Sequence, residues 1–450
     1  MTPRRAPFLP SVSLEELGCA ALFAFFAMQG FIPGIAPSVA LEMTGSAPTG
    51  LTTIGGILSQ AAADVFILLL LLRRPRLLLR SIPGVPWTAA LALLAIASML
   101  WSLDPLLTLR RSVPFALAGL FGLYFATRFP AHRQFAILRM AMIALALATI
   151  ALVVLVPSIG LDHTPGHAAD WQGVFTQKNA CGRIMVLATA VTLFEFRLTA
   201  SRVAALVLFA FVLVMSGSRG AWMIEAAVGL LCLVLLFARR ASPRLRTVLG
   251  VSVPFATGGA AVAAVALLPH LMRIMGRDPT LSGRTAIWKQ VVHFLAQRPF
   301  FGYGYDAFWR GMTGPSAQID SAVHFIVEHA HNGFLEIGLE LGGVGLVLFA
   351  MSWLRGARRL WALWRSGPPD RIAFPLVFLV LLLLYDLDEN TLLIYNGLFW
   401  PLYVAALANI ESAAQAARKE RGERTSDRRH AARCTPRGML RDKPVPQEVL

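Results

Sequence analysis

The chain has 450 residues, of which 56% are hydrophobic and only 15% charged. Soluble domains average about 45–50% apolar and about 25% charged residues, so this composition excludes an ordinary soluble enzyme and indicates a polytopic helical membrane protein. The formal net charge is +16, but the basic residues fall between apolar runs and form no basic face, which argues against nucleic-acid binding. The four cysteines have neither metal-ligand spacing nor a disulfide framework.

Twelve apolar runs predict membrane-spanning helices. They lie near 14–32, 51–72, 86–102, 112–127, 135–157, 180–196, 203–215, 220–238, 247–268, 333–354, 372–386 and 393–410. The run at 203–215 is short for a hydrocarbon core that takes around 20 residues. We expect the first run to be retained, because Glu15 and Glu16 interrupt the pattern of a cleavable signal peptide. The predicted fold is all-α, with about twelve transmembrane helices.

The distribution of basic residues predicts the orientation of these helices. Arginines cluster in the N-terminal segment, in alternate loops and after the tenth run, so that side is predicted to be cytoplasmic and to carry both termini. The other side's short loops hold only Arg110, Arg111, Lys178 and Arg219. The predicted organisation is nine spans at 1–268, an extracytoplasmic loop at 269–332, three spans at 333–410 and a basic, disordered cytoplasmic tail at 411–450.

The outer loop at 269–332 is the only sizeable polar segment between the runs. Apolar residues recur at helical spacing from Ile287 to Leu295, before Pro299. This predicts a helix that lies on the membrane surface or against the bundle. The aromatic residues that follow could stack on sugar rings or form an interfacial belt, and we expect the belt for most of them. They are Phe300, Phe301, Tyr303, Tyr305, Phe308 and Trp309.

Four basic residues at the predicted outer face are candidates for binding an anion: Lys178, Arg183, Arg219 and Arg284. Arg219 lies in a Ser-Gly-Ser-Arg-Gly connection, where a cation opposes the positive-inside bias; a snorkelling arginine is the alternative explanation. Guanidinium groups bind phosphate oxygens through paired hydrogen bonds, so the four cations suit a diphosphate. Glu225 is a candidate ion-pair partner for Arg219.

A polar cluster of Glu328, His329, His331 and Asn332 opens the tenth run. A histidine at a helix start is usually structural, but the adjacent acid and second histidine favour His331 as a general base near neutral pH. Asn332 is expected to cap the helix. No zinc motif matches the spacing, so neither a metal nor a cofactor is predicted. Three acids at 386–389 either balance the arginines or contact an acceptor, and the sequence leaves both open.

These motifs resemble those of the O-antigen ligase and exopolysaccharide polymerase superfamily. HNGFLEIGLELGGVG resembles its His-Asn pair, followed after nine residues by Gly-x-x-Gly. SGSRG resembles the first arginine region. GRTAIW with RPFFGYG resembles the second arginine region and the Pro-x-x-Gly-x-Gly element, and GVFTQKNACG resembles the Gly-x-Phe-x-x-Lys-Asn element. The matching positions are Lys178, Asn179, Arg219, Arg284, Pro299, Gly302, Gly304, His331, Asn332, Gly342 and Gly345.

The resemblance implies a metal-independent, GT-C-like glycosyltransferase at the periplasmic face of the bacterial inner membrane. The implied donor is an oligosaccharide on undecaprenyl diphosphate. The acceptor is a sugar hydroxyl, on lipid A core for a ligase or on a growing glycan for a polymerase, and other polysaccharide-synthesis membrane proteins are possible partners. Arg219 and Arg284 would hold the diphosphate, and His331 would accept the hydroxyl proton. The residues expected around the substrate are Lys178, Asn179, Arg183, Glu328, Asn332 and Tyr303.

Three alternatives stay open. The GVFTQKN element slightly favours a polymerase over a ligase, and a protein-glycosylating ligase shares the same core pattern. A transporter or flippase of a lipid-linked or anionic glycan would require internal repeats and charges near the bilayer midplane. No convincing repeat is present, and the charges gather at one face. A structural assembly subunit would leave the outer cations without a role.

Overall fold

The computed structural model describes residues 12–33, 50–163, 169–194, 199–242, 244–250, 252, 284–366 and 372–434. Within these ranges the protein is all-helical, as predicted, apart from an isolated bridge between Leu161 and Trp171. The helices with defined bounds are α1 Leu14–Ala27, α2 Gly50–Arg73, α3 Pro75–Ser81, α4 Pro86–Ala97, α5 Pro105–Arg128, α6 Ala131–Leu155, α7 Pro157–Gly160, α8 Lys178–Leu193, α9 Ala200–Met215, α10 Arg219–Arg240, α11 Arg284–Gln297, α12 Ser316–Val323, α13 Gly333–Ser366, α14 Ala373–Asp388 and α15 Phe399–Cys434.

Five described helices are long and apolar enough to cross a membrane, namely α2, α5, α6, α10 and α13. A sixth span results if the segments Pro75–Gly84 and Pro86–Leu100 count as one, although the chain bends by 102° between them. Helices α8, α9 and α14 have 16 residues each, short of a full span. Most of the predicted run at 247–268 lies outside the described residues. The total of about twelve spans stays a prediction.

Helix α15 continues to Cys434, where the sequence predicted a disordered tail from about residue 411. The continuation is anchored at its start, because Glu411 is buried and forms ion pairs with Arg355 and Arg359 of α13. Once one turn of a helix is held, nucleation is complete, and each further residue that becomes ordered gains one backbone hydrogen bond. The remaining tail residues, 435–450, lie outside the described ranges.

Helices α5 and α15 pack closely at the centre of the bundle. The Trp400 indole stacks on Phe115, with ring centroids 4.3 Å apart, and donates a hydrogen bond to the Phe115 carbonyl over 2.8 Å. Tyr305, from the outer loop, packs on the same Phe115 ring at 5.0 Å and donates its hydroxyl proton to the Leu393 carbonyl. The outer loop is therefore joined to the central core and to the segment between α14 and α15.

A break in α13 brings the Pro-x-x-Gly-x-Gly element at 299–304 into contact with the Gly-x-x-Gly element at 342–345. Gly342 has φ +66° and ψ −164°, a conformation essentially restricted to glycine, and the helix is interrupted there. Backbone groups of residues 299–304 enter the break and satisfy the exposed donors and acceptors. The hydrogen bonds run from Tyr303 N to Leu339 O (2.8 Å), Gly304 N to Glu340 O (3.0 Å), Gly343 N to Pro299 O (2.7 Å) and Val344 N to Phe300 O (3.1 Å).

The helix predicted from the spacing of Ile287 to Leu295 is present as α11. It packs into a second, smaller hydrophobic core in the outer segment. Its apolar face, including Ile287, Val291 and Phe294, is buried there against residues of 303–339. The predicted aromatic belt is wrong for four of the six aromatic residues. Only Phe300 and Phe301 are exposed, and the buried residues are Tyr303, Tyr305, Phe308 and Trp309. The reason is that residues 299–304 turn back into the break in α13.

Candidate active site

Glu389 joins the histidine cluster to the second arginine region. It follows α14, and its side chain is only 5% exposed. One carboxylate oxygen, Oε2, accepts hydrogen bonds from His329 Nε2 (2.8 Å) and His331 Nδ1 (3.1 Å), and the other accepts from Arg284 Nη2 (2.9 Å). Burial alone would raise the pKa of Glu389, but the hydrogen bonds from the two imidazoles hold it well below its ordinary value. The carboxylate is therefore ionised at neutral pH.

The ionised carboxylate fixes the tautomers of both imidazoles. An ionised carboxylate can only accept hydrogen bonds, so Nδ1 of His331 carries the proton in the hydrogen bond to Glu389. In neutral His331 the lone pair is then on Nε2, the nitrogen available to a substrate. The His329 and His331 rings lie 4.2 Å apart, and burial followed by the proximity of His331 lowers the pKa of His329. Glu328 is exposed beside this pair.

The backbone at His331 is held in a strained conformation. Its φ is +49°, in the left-handed region that non-glycine residues occupy at a cost of order 1–3 kcal/mol. Asn332 caps α13 as predicted, because its Oδ1 accepts from the N–H groups of Phe334 (3.1 Å) and Leu335 (3.0 Å). Its Nδ2 donates to the Leu387 carbonyl at 3.3 Å. The helix start and the end of α14 therefore fix the histidine from both sides.

Two buried side chains hold the loop before His331 in place. Glu336 accepts from the Trp309 indole at 2.6 Å and from the Ala330 N–H at 2.8 Å, so it contacts protein groups through both oxygens. Tyr303 is 3% exposed in the second core, and its hydroxyl donates to the Phe294 carbonyl at 2.9 Å. These contacts make both residues part of the packing that supports the loop.

Arg284, the first residue of α11, bridges two acids that follow each other in sequence. Its Nη1 pairs with Asp388 Oδ1 (2.5 Å) and its Nη2 with Glu389 Oε1 (2.9 Å). The sequence left the role of these acids open, and the structure shows that they balance an arginine. The guanidinium is only 20% exposed, which strengthens both ion pairs. Arg284 thus orients the carboxylate that orients the histidines.

The lysine element and the first arginine region lie side by side. Lys178 Nζ pairs with Asp170 Oδ2 at 2.6 Å, and the Asn179 amide oxygen accepts from the Ser218 hydroxyl at 3.1 Å. Gly220 approaches the second arginine region, because a Cβ atom there would lie 3.1 Å from Asp388 Oδ2. All four sequence motifs therefore meet at one end of the bundle.

Arg219 and Arg183 differ from the other predicted cations. Arg219 is exposed at the start of α10, and the expected ion pair with Glu225 is not formed. Arg183 is 6% exposed and has no carboxylate within ion-pair distance among the described residues. Its charge acts on Tyr385 and Asp386 of α14. Among the described residues, neither cation therefore forms an ion pair with a carboxylate.

Buried polar atoms without partners surround Arg183. Among the described residues, Tyr385 Oη, Asp386 Oδ2 and Glu225 Oε2 are buried and make no hydrogen bond. The three side chains come from α14 and α10, and Arg183 comes from α8. Leaving such atoms unsatisfied costs about 1–3 kcal/mol each, so the region between these helices suits a polar occupant.

The comparisons with known proteins agree with this geometry. The family model described as O-Antigen ligase matches residues 204–350, which contain Arg219, Arg284 and His331. This match agrees with the resemblance of the motifs to the O-antigen ligase and exopolysaccharide polymerase superfamily. Other candidate site residues lie outside the match: Lys178, Asn179 and Arg183 before it, and Asp388 and Glu389 after it.

Two curated relatives show the extent of the similarity. It is 32% identical over 152 residues to "Exopolysaccharide production protein ExoQ" of Rhizobium meliloti (strain 1021), a match that covers 32% of this chain and 34% of ExoQ. It is 36% identical over 80 residues to "Putative polysaccharide ligase RP358" of Rickettsia prowazekii (strain Madrid E), covering 17% and 20% of the two chains. The chain thus matches about a third of one relative's length and a fifth of the other's.

His329, His331 and Glu389 could also serve as metal ligands. Each offers one ligand atom, and the three atoms lie within 4.8 Å of one another. The protein already supplies positive charge there, because Arg284 Nη2 lies 2.9 Å from Glu389 Oε1. A divalent ion would bind against that charge, which disfavours it electrostatically. Metal independence stays a prediction, and chelation tests it.

Proposed function

We propose that this protein is a membrane glycosyltransferase that joins an oligosaccharide from undecaprenyl diphosphate to a sugar hydroxyl. The reaction takes place at the periplasmic face of the bacterial inner membrane, with both termini of the chain in the cytoplasm. One observation carries the proposal: a histidine with a fixed tautomer lies at the same end of the bundle as two arginines without ion pairs. The superfamily assignment supports the same reaction class.

His331 acts as the general base. Its Nδ1–H donates to Glu389, so Nε2 is left to accept the proton of the acceptor hydroxyl as the oxygen attacks the anomeric carbon of the donor sugar. Glu389 stabilises the imidazolium that forms, and Arg284 holds Glu389 in position through the ion pair at 2.9 Å. Glu328 and Asn332 border the histidines and contact the acceptor.

The cations without ion pairs bind the diphosphate. As the acceptor oxygen bonds to the anomeric carbon, the bond from that carbon to the phosphate oxygen breaks and negative charge develops on the leaving diphosphate. Arg219 and Arg183 stabilise this charge, since no carboxylate of the described chain neutralises either. Lys178 and Asn179 hold the α8 start against the SGSRG segment, so they keep the cations at the correct spacing.

The polymerase is our first choice between the two reaction types. The match to the exopolysaccharide production protein extends over 152 residues, against 80 for the polysaccharide ligase described above. A polymerase transfers repeatedly to a growing glycan, whereas a ligase transfers once to lipid A core. The size distribution of the product therefore separates them.

Reconstituted transfer tests the proposal. Purified wild-type protein, the His331→Ala variant and the His293→Ala variant are each given a lipid-diphosphate-linked oligosaccharide and candidate acceptors, with EDTA present. His293 is the matched control, because it is an exposed histidine on α11 that contacts only Gln297 by hydrogen bond among the described residues. We expect product from wild type and His293→Ala, and a loss of at least about 100-fold in His331→Ala.

The other outcomes are equally informative. A ladder of products identifies a polymerase and a single transfer identifies a ligase. Full transfer by a folded His331→Ala protein would remove the general-base mechanism, and loss of wild-type transfer in EDTA would assign a metal to the histidine cluster. Movement of the lipid-linked glycan across vesicle membranes without any glycosyl transfer would show that the protein acts as a flippase and not as a transferase.

A further inference from the structure

A second charged cleft lies far from the histidine cluster. It is bordered by Arg355 of α13, 22 positions after Gly333 at the start of that helix, which is at most about 33 Å of chain because the helix is broken at Gly342. Since the hydrocarbon core of a bilayer is about 30 Å thick, the cleft opens at the opposite membrane face. It is separate from the proposed active site.

Three segments form this cleft, namely the bend between α3 and α4, the second half of α13 and the cytoplasmic part of α15. The cleft is narrow and opens to solvent. Arg355, Arg359 and Glu411 supply its charges, and Trp87 from the first turn of α4 forms part of the wall. The chain turns by 102° at the bend.

The charges in the cleft are unbalanced. Glu411 accepts a hydrogen bond from Arg355 Nη2 at 3.2 Å and forms an ion pair with Arg359 Nε at 3.3 Å, so one carboxylate faces two guanidinium groups. Arg355 Nε is buried and has no hydrogen-bond partner within the described part of the chain. A single carboxylate thus leaves a net positive charge and unused donors, a combination that suits a phosphate oxygen.

The surroundings of the cleft favour a lipid over a soluble phosphate. Met351 and Leu354, within one turn before Arg355, are 39% and 46% exposed, and Leu93 of α4 is 66% exposed. Exposed apolar side chains on membrane helices contact acyl chains. A molecule with a phosphate in the cleft and acyl chains along α13 and α4 would satisfy both surfaces.

We propose that this cleft binds the phosphate of an anionic phospholipid from the cytoplasmic leaflet. Arg355 and Arg359 hold the headgroup, and Trp87 packs against its glycerol region. Basic pockets between membrane helices on this side commonly take anionic headgroups. When no lipid is bound, the negative charge of Glu411 reduces the electrostatic repulsion between Arg355 and Arg359. The same charge weakens the binding of an anionic headgroup.

Native mass spectrometry of the purified full-length protein tests the site. Phosphatidylglycerol, phosphatidylcholine and glycerol 3-phosphate are titrated into wild type, the Arg355→Gln/Arg359→Gln variant and the Arg358→Gln control. Arg358 is exposed on the same helix and does not line the cleft. We expect wild type and Arg358→Gln to prefer phosphatidylglycerol over phosphatidylcholine, and the double variant to lose roughly tenfold or more in affinity for it.

Two further variants keep the result interpretable. Arg359→Gln alone retains the Arg355–Glu411 ion pair, so it should fold even if the double variant does not, and it should bind the anionic lipid more weakly than wild type. Glu411→Gln should bind it more tightly. Equal affinity in wild type and Arg359→Gln, or an equal loss in Arg358→Gln, would overturn the site. Binding of glycerol 3-phosphate as tight as that of the lipid would overturn the assignment to a phospholipid.

Discussion

The Nδ1 atom of His331 lies 3.1 Å from Oε2 of Glu389, although 58 positions of sequence separate the two residues. One lies before the first turn of α13 and the other after the last turn of α14. The contact sets which ring nitrogen faces a substrate. It also connects His331 to Arg284, because both side chains hydrogen-bond to the carboxylate of Glu389.

Replacement of Glu389 by glutamine should reduce transfer while the protein stays folded. Glutamine has the same shape but no charge, so the imidazolium formed during proton transfer loses its stabilising partner. We expect kcat to fall roughly 100-fold, within the usual contribution of acid–base catalysis. KM should change much less than kcat, because the carboxylate hydrogen-bonds to His329, His331 and Arg284 and not to a substrate.

A neutral replacement elsewhere provides the control for Glu389. Glu420→Gln removes a carboxylate from an exposed position on α15 and should leave both kcat and KM unchanged. A purely structural role for Glu389 would lower the amount of folded protein and leave kcat per folded molecule unchanged. That result would contradict the positioning role.

Stability should decline in two stages as the pH falls. The pKa of His329 is lowered in the folded protein, so its contribution is complete above the ordinary histidine value of about 6.5 and is lost below it. The pKa of Glu389 is also lowered, so its contribution is complete above about 4.3 and is lost as the pH falls through the folded value. Thermal unfolding measured from about pH 7.5 down to about pH 2, well below the reference values of both groups, covers both stages. A His329→Gln variant should lack the first; equal slopes in the two proteins would refute the assignment.

The break in α13 should tolerate only glycine. At Gly342 a Cβ atom would lie 2.2 Å from the Phe300 carbonyl oxygen, and the backbone conformation is itself unfavourable for other residues. Gly342→Ala should therefore destabilise the protein by about 3 kcal/mol or more. Gly229→Ala is the matched control, because nothing lies within 4 Å of its added Cβ in α10; we expect a gain of about 0.5–1 kcal/mol. Unfolding midpoints in detergent compare the two, and similar values would argue against the break.

Arg284 should require its guanidinium shape as well as its charge. Lysine keeps the charge but cannot direct two nitrogens at Asp388 and Glu389 at once, so Arg284→Lys should lower kcat roughly tenfold. Arg284→Gln should lower it further. Lys289→Gln changes an exposed cation one turn along the same helix and should have no effect. Full activity in Arg284→Lys would show that charge alone suffices.

Tyr303 should affect stability and leave substrate affinity unchanged. Its hydroxyl donates to the Phe294 carbonyl inside the second core, so Tyr303→Phe should cost about 1 kcal/mol of unfolding free energy. The KM for the donor and acceptor should stay the same. A higher KM with unchanged stability would instead support the substrate contact that the sequence suggested.

Local patterns in the sequence were sufficient for several features. The spacing of Ile287, Val291 and Phe294 predicted α11, and the amide of Asn332 predicted the cap of α13; both are present. Such features depend on neighbours within a few positions, where periodicity and capping chemistry act. The superfamily assignment likewise followed from short motifs in a fixed order.

Features that depend on distant residues were missed or wrong. The role of Glu389 was left open because its three partners come from two segments far away in the sequence, the loop before α13 and the start of α11. The aromatic belt was wrong because residues 299–304 enter a helix break that hydrophobic periodicity does not show. The Arg219–Glu225 pair was wrong because proximity in sequence does not direct two side chains at each other.

The sequence by itself determined the class of the protein, its apolar helices, the motifs and the residue types that can bind phosphate and transfer a proton. Composition and spacing carry this information because they act along the chain. Only the tertiary structure decided which cations are already neutralised and which nitrogen of His331 is free. Those properties follow from contacts between helices, where a carboxylate within 3.1 Å sets the charge and hydrogen bonding of a side chain far away in the sequence.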